Sequence, residues 1–294
     1  MRVLVMGASG MLGTDLLQEW KGDELIPASS RDADIRDAAQ VRALIDRHRP
    51  DWIVLAAAYT DVDGSERNRE LAFVVNGTGT ANVAKAAVEL GAKVFYVSTD
   101  YVFNGKSTRP YQPGDPIAPL GAYGASKAAG EAAVQKLPQG WCIARTSWLF
   151  GASGVSFPEK ILQASETRPE LQVVADQFGS PTFTRDLAAA IRDLIRANAY
   201  GIVNVTNSGS CSWYEFAKEI LRQAGRKTPV VPISTAQANR LAARPAYSIL
   251  APESLQPYGI ALRPWQHALN VYLAELRDRG KLAQVANSPL PGGV

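Results

Sequence analysis

The sequence predicts an α/β fold in which a doubly wound parallel sheet carries a smaller C-terminal lobe. Apolar strand-like segments alternate with amphipathic helical segments through the first half, a glycine-rich turn follows the first strand, and the alternation loosens after Gly151. Strands that alternate with helices pair in parallel, so their carboxyl ends share one edge of the sheet. Ligands bind beyond that edge in folds of this class, so a binding site is expected there.

The first half contains five predicted strands, over residues 2–6, 24–29, 51–58, 93–99 and 141–150. Helices are predicted over residues 11–20, 38–49, 70–90 and 123–136, with Asp34 as the N-cap before the second. Residues 100–121 are rich in Gly and Pro, which predicts a long loop.

The second half is less regular. Helices are predicted over residues 158–167, 184–197, 212–224 and 265–276, with strands over 171–175 and 201–206. We expect residues 184–206 to return to the main sheet. The predicted dinucleotide-binding domain therefore comprises residues 1–150 and 181–207, and the predicted substrate lobe 151–180 and 208–284. Residues 285–294 are small, polar and Pro/Gly-bearing, which predicts a disordered tail.

Composition excludes several classes of function. The 294 residues carry a net charge of +3 without any run of Lys and Arg, which argues against a nucleic-acid partner. No apolar stretch reaches the roughly 18 residues of a membrane helix, and no signal peptide is evident, so we expect a cytoplasmic protein without a membrane partner. The Cys142 and Cys211 thiols have no metal-like spacing, and His48 and His267 are far apart, which argues against a zinc site or a catalytic triad.

A glycine turn follows the first strand and opens the first helix. Gly7, Gly10 and Gly13 have the spacing G-x-x-G-x-x-G, with Met11 and Leu12 between the last two. Glycine permits the tight turn and the close approach of backbone to a pyrophosphate, which the helix N-terminus binds through its N–H groups. The turn predicts a Rossmann-like dinucleotide site.

The end of the second strand selects between cofactors. An acidic residue there holds the ribose 2′-hydroxyl of NAD, whereas this chain has Ser29, Ser30 and Arg31. A hydroxyl and a guanidinium bind a 2′-phosphate, which favours NADPH. NADH stays possible if Arg31 is only a solvated loop residue. Further cofactor contacts are predicted at Asp34, Ile35, Ala57, Ala58, Tyr59 and Thr60.

Reduction of a ketone needs a proton donor at the carbonyl oxygen. Tyr123 and Lys127 form Y-x-x-x-K at the start of a predicted helix, where i, i+4 spacing places both on one face. The ammonium and the oxidised nicotinamide are expected to favour the phenolate and lower the pKa of the tyrosine, so that it can act as acid or base near neutral pH. Thr99, at the end of a predicted strand, can orient the carbonyl. A second copy, Tyr214 and Lys218, has no such partner and is interpreted as packing.

Together these motifs resemble the extended short-chain dehydrogenases that modify nucleotide sugars, and most closely the dTDP-4-dehydrorhamnose reductase family. The resemblance extends to about residue 277. Its motifs are the glycine turn, residues 57–63 (AAYTDVD), 98–103 (STDYVF), 145–148 (RTSW), 176–182 (DQFGSPT), 244–245 (RP) and the Tyr123–Lys127 pair.

This resemblance implies that NADPH reduces the C4 keto group of dTDP-4-dehydro-L-rhamnose to give dTDP-L-rhamnose. It implies catalytic roles for Thr99, Tyr123 and Lys127, and sugar contacts for Asp100 and Trp148. We add Arg244 as a candidate for the substrate diphosphate. The alternative interpretations are a core aromatic for Trp148 and a surface charge for Arg244.

Two departures from the family pattern are visible. Some members bind magnesium through glutamates at a dimer contact. Asp15 stands where one such acid is expected, but Arg185 replaces another, so a metal-bridged dimer is doubtful and a monomer or weak homodimer is expected. Tyr59 stands where some relatives have histidine.

Several other functions are found among proteins that resemble this chain. A nucleotide-sugar dehydratase needs an Asp-Glu pair after the catalytic threonine, and here that pair is Asp100 and Tyr101. An epimerase retains NAD, which the absent acid after the second strand disfavours. Reduction of another nucleotide 4-keto sugar stays open. So does a non-catalytic role, because a regulatory subunit of methionine adenosyltransferase resembles the same reductases.

Overall fold

The computed structural model describes residues 1–282. The strands are β1 Arg2–Met6, β2 Glu24–Ala28, β3 Trp52–Leu55, β4 Lys93–Thr99, β5 Trp141–Thr146, β6 Leu149–Phe150, β7 Leu171–Val174, β8 Phe178–Gly179, β9 Thr182–Phe183, β10 Gly201–Asn204, β11 Cys211–Ser212 and β12 Val230–Ile233. The helices are α1 Met11–Glu19, α2 Ala38–His48, α3 Val62–Arg67, α4 Arg69–Phe73, α5 Thr80–Leu90, α6 Ala122–Val134, α7 Phe157–Thr167, α8 Thr184–Arg196, α9 Trp213–Gln223, α10 Thr235–Ala238 and α11 Trp265–Asp278.

Six strands form one sheet in the order β10-β5-β4-β3-β1-β2, and every pairing in it is parallel. The predicted α/β doubly wound fold is confirmed. The chain moves outward from β1 to β2 and then returns to the other side of β1 for β3. The strand order therefore reverses between β1 and β3, which is where sheets of this class form their ligand crevice.

The central strands are mostly apolar because helices cover both faces of the sheet, and their polar residues, such as Ser98, Thr99 and Arg145, lie towards the carboxyl ends. On one face, Leu16 of α1 and Ile191 of α8 join a buried core. On the other, Val41 of α2 and Val83 of α5 do the same. The helix and strand at 184–204 thus belong to the main sheet, as predicted, and β10 extends it beside β5.

Several element boundaries differ from the prediction. The cap of α2 is Asp37, whose carboxylate accepts from the N–H groups of Ala39 and Gln40, and not Asp34. The predicted helix 70–90 is interrupted by a π-helical segment, Val74–Gly79. The predicted strand 141–150 divides into β5 and β6 because Trp148 adopts a positive φ of 48°.

The remaining elements form a third core. Phe150, Phe183, Phe216 and Tyr272 are fully buried in it, and α7, α9 and α11 surround two-stranded pairs such as β7 with β12. The domain limits proposed above stay a prediction, and the predicted disordered tail lies outside the described residues. Within residues 1–282 we find no helix with the length and apolar character needed to span a membrane.

Candidate functional site

The glycine turn lies at the β1–β3 crevice. Gly7 has a φ of +94°, and a Cβ there would lie 2.6 Å from the backbone nitrogen of Ala57 at the end of β3. A Cβ on Gly13 would lie 2.2 Å from the carbonyl oxygen of Gly7. Only glycine therefore permits the turn, the start of α1 and the end of β3 to approach one another this closely.

The N-terminus of α1 fits the pyrophosphate of a dinucleotide. Its N-cap, Gly10, is exposed and provides no side-chain hydrogen bond to the first turn. The N–H groups of Met11, Leu12 and Gly13 therefore lie at an uncapped helix start, where they favour an anion. Met11 is half-buried and Leu12 buried, which anchors the turn to the sheet and to the lobe beyond Gly151.

In the loop after β2, the first acid, Asp32, is engaged by hydrogen bonds within the loop. The carboxylate of Asp32 accepts from the backbone N–H and the hydroxyl of Ser29, both at 2.8 Å. Ser30 and Arg31 are exposed beside it. In the described part of the chain the Arg31 guanidinium forms no ion pair, which suits contact with a phosphate.

The predicted adenine side of the crevice follows next along the chain. Asp34 binds the guanidinium of Arg36 at 2.9 Å and also its backbone N–H. Ile35 is buried against Gly79, where a Cβ would lie 2.8 Å from its side chain. Ala57, Ala58 and Tyr59 are half-buried after β3, and Thr60 is exposed.

Asn76 is a buried residue that the sequence interpretation missed. Its amide accepts from the backbone N–H of Tyr59 at 2.8 Å and donates to the Tyr59 carbonyl at 3.0 Å. It also donates to the hydroxyl of Ser126 on α6 at 2.9 Å. The π-helical segment brings it between the crevice wall and the helix that carries Tyr123. The only local signal was its position inside the glycine-bearing stretch 74–79.

Replacing Asn76 by Ala should remove three buried hydrogen bonds and lower the free energy of unfolding by about 2–4 kcal/mol. Because Ser126 lies between Tyr123 and Lys127, kcat/KM should also fall about 10- to 100-fold. Urea unfolding and steady-state kinetics measure both. Asn68→Ala, an exposed N-cap, is the control and should cost about 1 kcal/mol with unchanged kinetics. Equal behaviour of the two variants would contradict the assignment.

The predicted catalytic residues converge at the carboxyl end of β4. The hydroxyl of Thr99 lies beside the phenol of Tyr123, which is in the first turn of α6. Lys127, one turn later, is buried and donates to the Val97 carbonyl at 2.7 Å. Its ammonium lies 4.1 Å from the centre of the Tyr96 ring.

Burial dominates the electrostatics of these groups. It raises the pKa of Tyr123 to about 12, and the side chain of Thr99 partly offsets this rise. Burial also lowers the pKa of Lys127 to about 7, and the carboxylate of Glu131 opposes this. The predicted lowering of the tyrosine pKa included the charge of an oxidised nicotinamide. The protein's own groups act in the other direction, because desolvation of the phenolate exceeds any help from an ammonium directed at a carbonyl. The phenol therefore holds its proton at neutral pH.

Asp100 and Tyr101 lie against this group. The Asp100 side chain is 1% exposed and accepts from the Thr99 hydroxyl at 3.0 Å, while its other oxygen has no partner within residues 1–282. Burial raises its pKa to about 7. The ring of Tyr101 packs edge-on against that of Tyr123, with centroids 5.6 Å apart.

Trp148 lies beyond β5, at the same edge of the sheet as Thr99. Its indole is stacked on that of Trp213, with centroids 3.5 Å apart, and Gly179 packs closely against it. One face of the ring is therefore covered by a second tryptophan. A sugar contact can use only the part of the ring that this stack leaves accessible.

Arg244 reaches the site from the C-terminal lobe. Its guanidinium pairs with Asp63 of α3 at 3.0 Å and donates to the Ala242 carbonyl at 2.9 Å. The guanidinium also lies beside the phenol of Tyr101, where its charge opposes the rise in the pKa of that phenol. Arg244 is thus a fixed cation beside Tyr101, and the predicted contact with a diphosphate would use its remaining N–H donors.

The residues near Asp15 do not fit the magnesium ion of some relatives. Asp15 is fully buried and accepts from the Thr184 hydroxyl. The Arg185 guanidinium lies between Glu19 and Glu275 and pairs with both, and Arg279 also pairs with Glu275. Among the described residues no cluster of three or more His, Cys, Asp or Glu side chains could hold a metal.

We accordingly expect millimolar Mg²⁺ or EDTA to change the melting temperature by less than about 1 °C, since an ion without a site gives no binding free energy to the folded state. Differential scanning fluorimetry measures this. A rise of several degrees with Mg²⁺ that EDTA reverses would show that the guanidinium does not exclude the metal.

A doubly wound sheet with this glycine turn, and a Tyr-x-x-x-Lys helix beside a strand that ends in Thr99, defines the extended short-chain dehydrogenase class. The family model described as RmlD substrate binding domain matches residues 1–278, and the chain belongs to that family. The resemblance inferred from the sequence motifs is confirmed.

Individual relatives and a solved structure are similar to this chain over most of its length. The chain is 41% identical to the spore coat polysaccharide biosynthesis protein SpsK of Bacillus subtilis, covering 93% of this chain and 97% of SpsK. It is 38% identical to a dTDP-4-keto-6-deoxy-D-glucose reductase of Streptomyces niveus, covering 91% and 95%. A crystal structure of dTDP-4-dehydrorhamnose reductase from Bacillus anthracis in complex with NADP is 42% identical, with a TM-score of 0.91 and coverage of 93% and 99%.

Proposed function

We propose that this protein reduces the C4 keto group of dTDP-4-dehydro-L-rhamnose to dTDP-L-rhamnose with NADPH. The observation that carries the proposal is the convergence of Thr99, Tyr123 and Lys127 beside the glycine turn, in a chain similar over most of its length to a reductase of that substrate. NADPH, when bound, supplies the hydride.

The protein's own groups handle the proton and the orientation. The Tyr123 phenol is protonated at neutral pH and donates its proton to the C4 oxygen as that oxygen gains charge. Thr99 holds the same carbonyl oxygen through its hydroxyl. The Lys127 ammonium stabilises the phenolate that remains, and the buried setting strengthens this interaction.

The cofactor and the substrate lie on opposite sides of the catalytic group formed by Thr99, Tyr123 and Lys127. Gly7, Gly10, Met11, Leu12 and Gly13 hold the pyrophosphate, and residues 30–35 and 57–60 line the rest of the cofactor crevice. On the substrate side, the unpartnered oxygen of Asp100 accepts a sugar hydroxyl. Trp148 limits the sugar pocket, and Arg244 donates to the diphosphate.

A substrate panel tests the proposal. The protein is mixed with NADPH or NADH and either dTDP-4-dehydro-L-rhamnose or dTDP-4-keto-6-deoxy-D-glucose, and the nicotinamide absorbance is followed. Fastest oxidation of NADPH with the rhamnose precursor is expected. Faster turnover of the glucose derivative would assign the specificity of the Streptomyces niveus relative. No turnover with either would favour a non-catalytic binding role.

The cofactor preference has its own prediction. Arg31→Ala should raise the KM for NADPH about 10- to 100-fold, because one charge-assisted hydrogen bond to the 2′-phosphate is lost, and leave the KM for NADH unchanged. Arg42→Ala, which breaks an exposed pair with Glu89, is the matched control. An equal rise for both cofactors would show that Arg31 does not select the phosphate.

The cellular location, the oligomeric state and the partners of the protein follow from the same proposal. We infer a cytoplasmic enzyme that acts as a monomer or weak homodimer on a small nucleotide sugar, without a nucleic-acid or membrane partner. The small net charge of +3 and the internal pairing of Arg185 support this inference.

A further inference from the structure

A buried ion pair lies directly behind Lys127. Tyr123, Lys127 and Glu131 follow one another at i+4 spacing, so all three occupy one face of α6. Glu131 is fully buried, and Arg145 of β5 is 2% exposed. The Arg145 guanidinium donates to the two carboxylate oxygens at 2.9 and 2.7 Å, and the Ser98 hydroxyl donates at 2.6 Å.

Arg145 is held in place by further contacts, whereas Lys127 has few of its own. Arg145 also donates to the Pro113 carbonyl at 3.0 Å and lies 5.0 Å from the centre of the Phe103 ring. Lys127 has less support, since its one hydrogen-bond acceptor among residues 1–282 is the Val97 carbonyl. The charge of Lys127 therefore depends on the field of its neighbours as much as on direct contacts.

Stability does not explain the pair. Two buried charges lose hydration, and replacing such a pair with packed apolar side chains is often neutral or stabilising. The positions of Glu131 and Arg145 next to the catalytic lysine suggest a role in the reaction.

We propose that Glu131 and Arg145 are positioning residues, and that their balanced charges set the pH up to which Lys127 keeps its proton. This inference rests on the proposed reductase function. The other titratable groups that face Lys127 or its helix include Tyr96 on β4, Asp100 and Tyr101 after it, Tyr123 on α6 and Glu66, which accepts from the first N–H of α6.

The two partners should act in opposite directions. Burial already places the pKa of Lys127 near 7, and its charge is present below that value and lost as the pH rises through it. Glu131→Gln leaves the Arg145 cation unpaired, so Lys127 loses its proton at lower pH. Arg145→Met leaves the carboxylate unpaired, so Lys127 keeps its proton to higher pH. Each substitution moves the pKa of Tyr123 in the same direction as the pKa of Lys127. The expected direction of the change in the pH profile is therefore the same whichever of the two groups limits activity.

The experiment measures kcat/KM against pH with NADPH and the 4-keto sugar. We expect the high-pH limb to move about one unit down in E131Q and about one unit up in R145M. Glu131→Asp keeps the charge and should keep the wild-type limb with a lower kcat. The double variant E131Q/R145M removes both charges and should also lie near wild type.

If the pair were purely structural, both variants would lose stability, and their high-pH limbs would not move in opposite directions. Limbs that move the same way, or do not move, therefore overturn the inference. If E131Q does not fold, R145M decides alone, and an unchanged or lowered limb overturns it. Absence of turnover by the wild-type protein would reject the proposed function, whereas turnover with unmoved limbs rejects only this inference.

Discussion

Tyr123→Phe should lower kcat by about 10³-fold and leave NADPH binding within about twofold. The substitution removes one oxygen, which is the proposed proton donor to the C4 carbonyl and lies beside Thr99. The ring remains, so its edge-on packing against Tyr101 is kept. Stopped-flow turnover and fluorescence titration of NADPH separate the chemical step from cofactor binding.

The second Y-x-x-x-K supplies a matched control. Tyr214 is half-buried on α9 and packs against the third core, and Lys218 lies 5.2 Å from the centre of its ring. Tyr214→Phe should keep wild-type kcat. Loss of turnover in Tyr214→Phe, or its retention in Tyr123→Phe, would remove the α6 tyrosine from the proposed mechanism.

Gly13→Ala should lower the affinity for NADPH by at least about 100-fold and the free energy of unfolding by about 2–3 kcal/mol. The added Cβ would lie 2.2 Å from the Gly7 carbonyl oxygen and 2.7 Å from Cα of Ala8. The start of α1 must then move away from the turn, which displaces the N–H groups proposed to hold the pyrophosphate. Isothermal titration and urea unfolding measure the two effects.

Gly114→Ala is the control for this substitution. An added Cβ at Gly114 meets no atom within 4 Å, so affinity and stability should stay near wild type. If Gly13→Ala bound NADPH as tightly as this control, the glycine turn would not be the pyrophosphate site.

The parts of the site that the sequence predicted depend on local rules. Spacing of four residues places Tyr123 and Lys127 on one helix face whatever the rest of the chain does. The strand ending at Thr99 followed from its uninterrupted apolar run, and parallel pairing brings that end to the shared edge of the sheet. The glycine turn was visible because only glycine permits such approaches.

The missed parts depend on long-range contacts. Asn76 lies in a helical stretch without any capping or periodic signal, and its role comes from Tyr59 and Ser126 on other elements. The stack of Trp148 on Trp213 changes how a sugar platform there can work. The pairing of Arg244 with Asp63 likewise joins distant segments.

The amino-acid sequence was enough to establish the fold class, the cofactor turn and the catalytic pair, because periodicity, glycine geometry and i+4 spacing are short-range properties. The tertiary structure alone decided the charge states of these groups. Desolvation depends on everything that surrounds a side chain, and so burial raises the pKa of Tyr123 and lowers that of Lys127. The tertiary structure also brings Glu131 and Arg145 together behind Lys127, since a contact between a helix and a strand exists only once the sheet has formed.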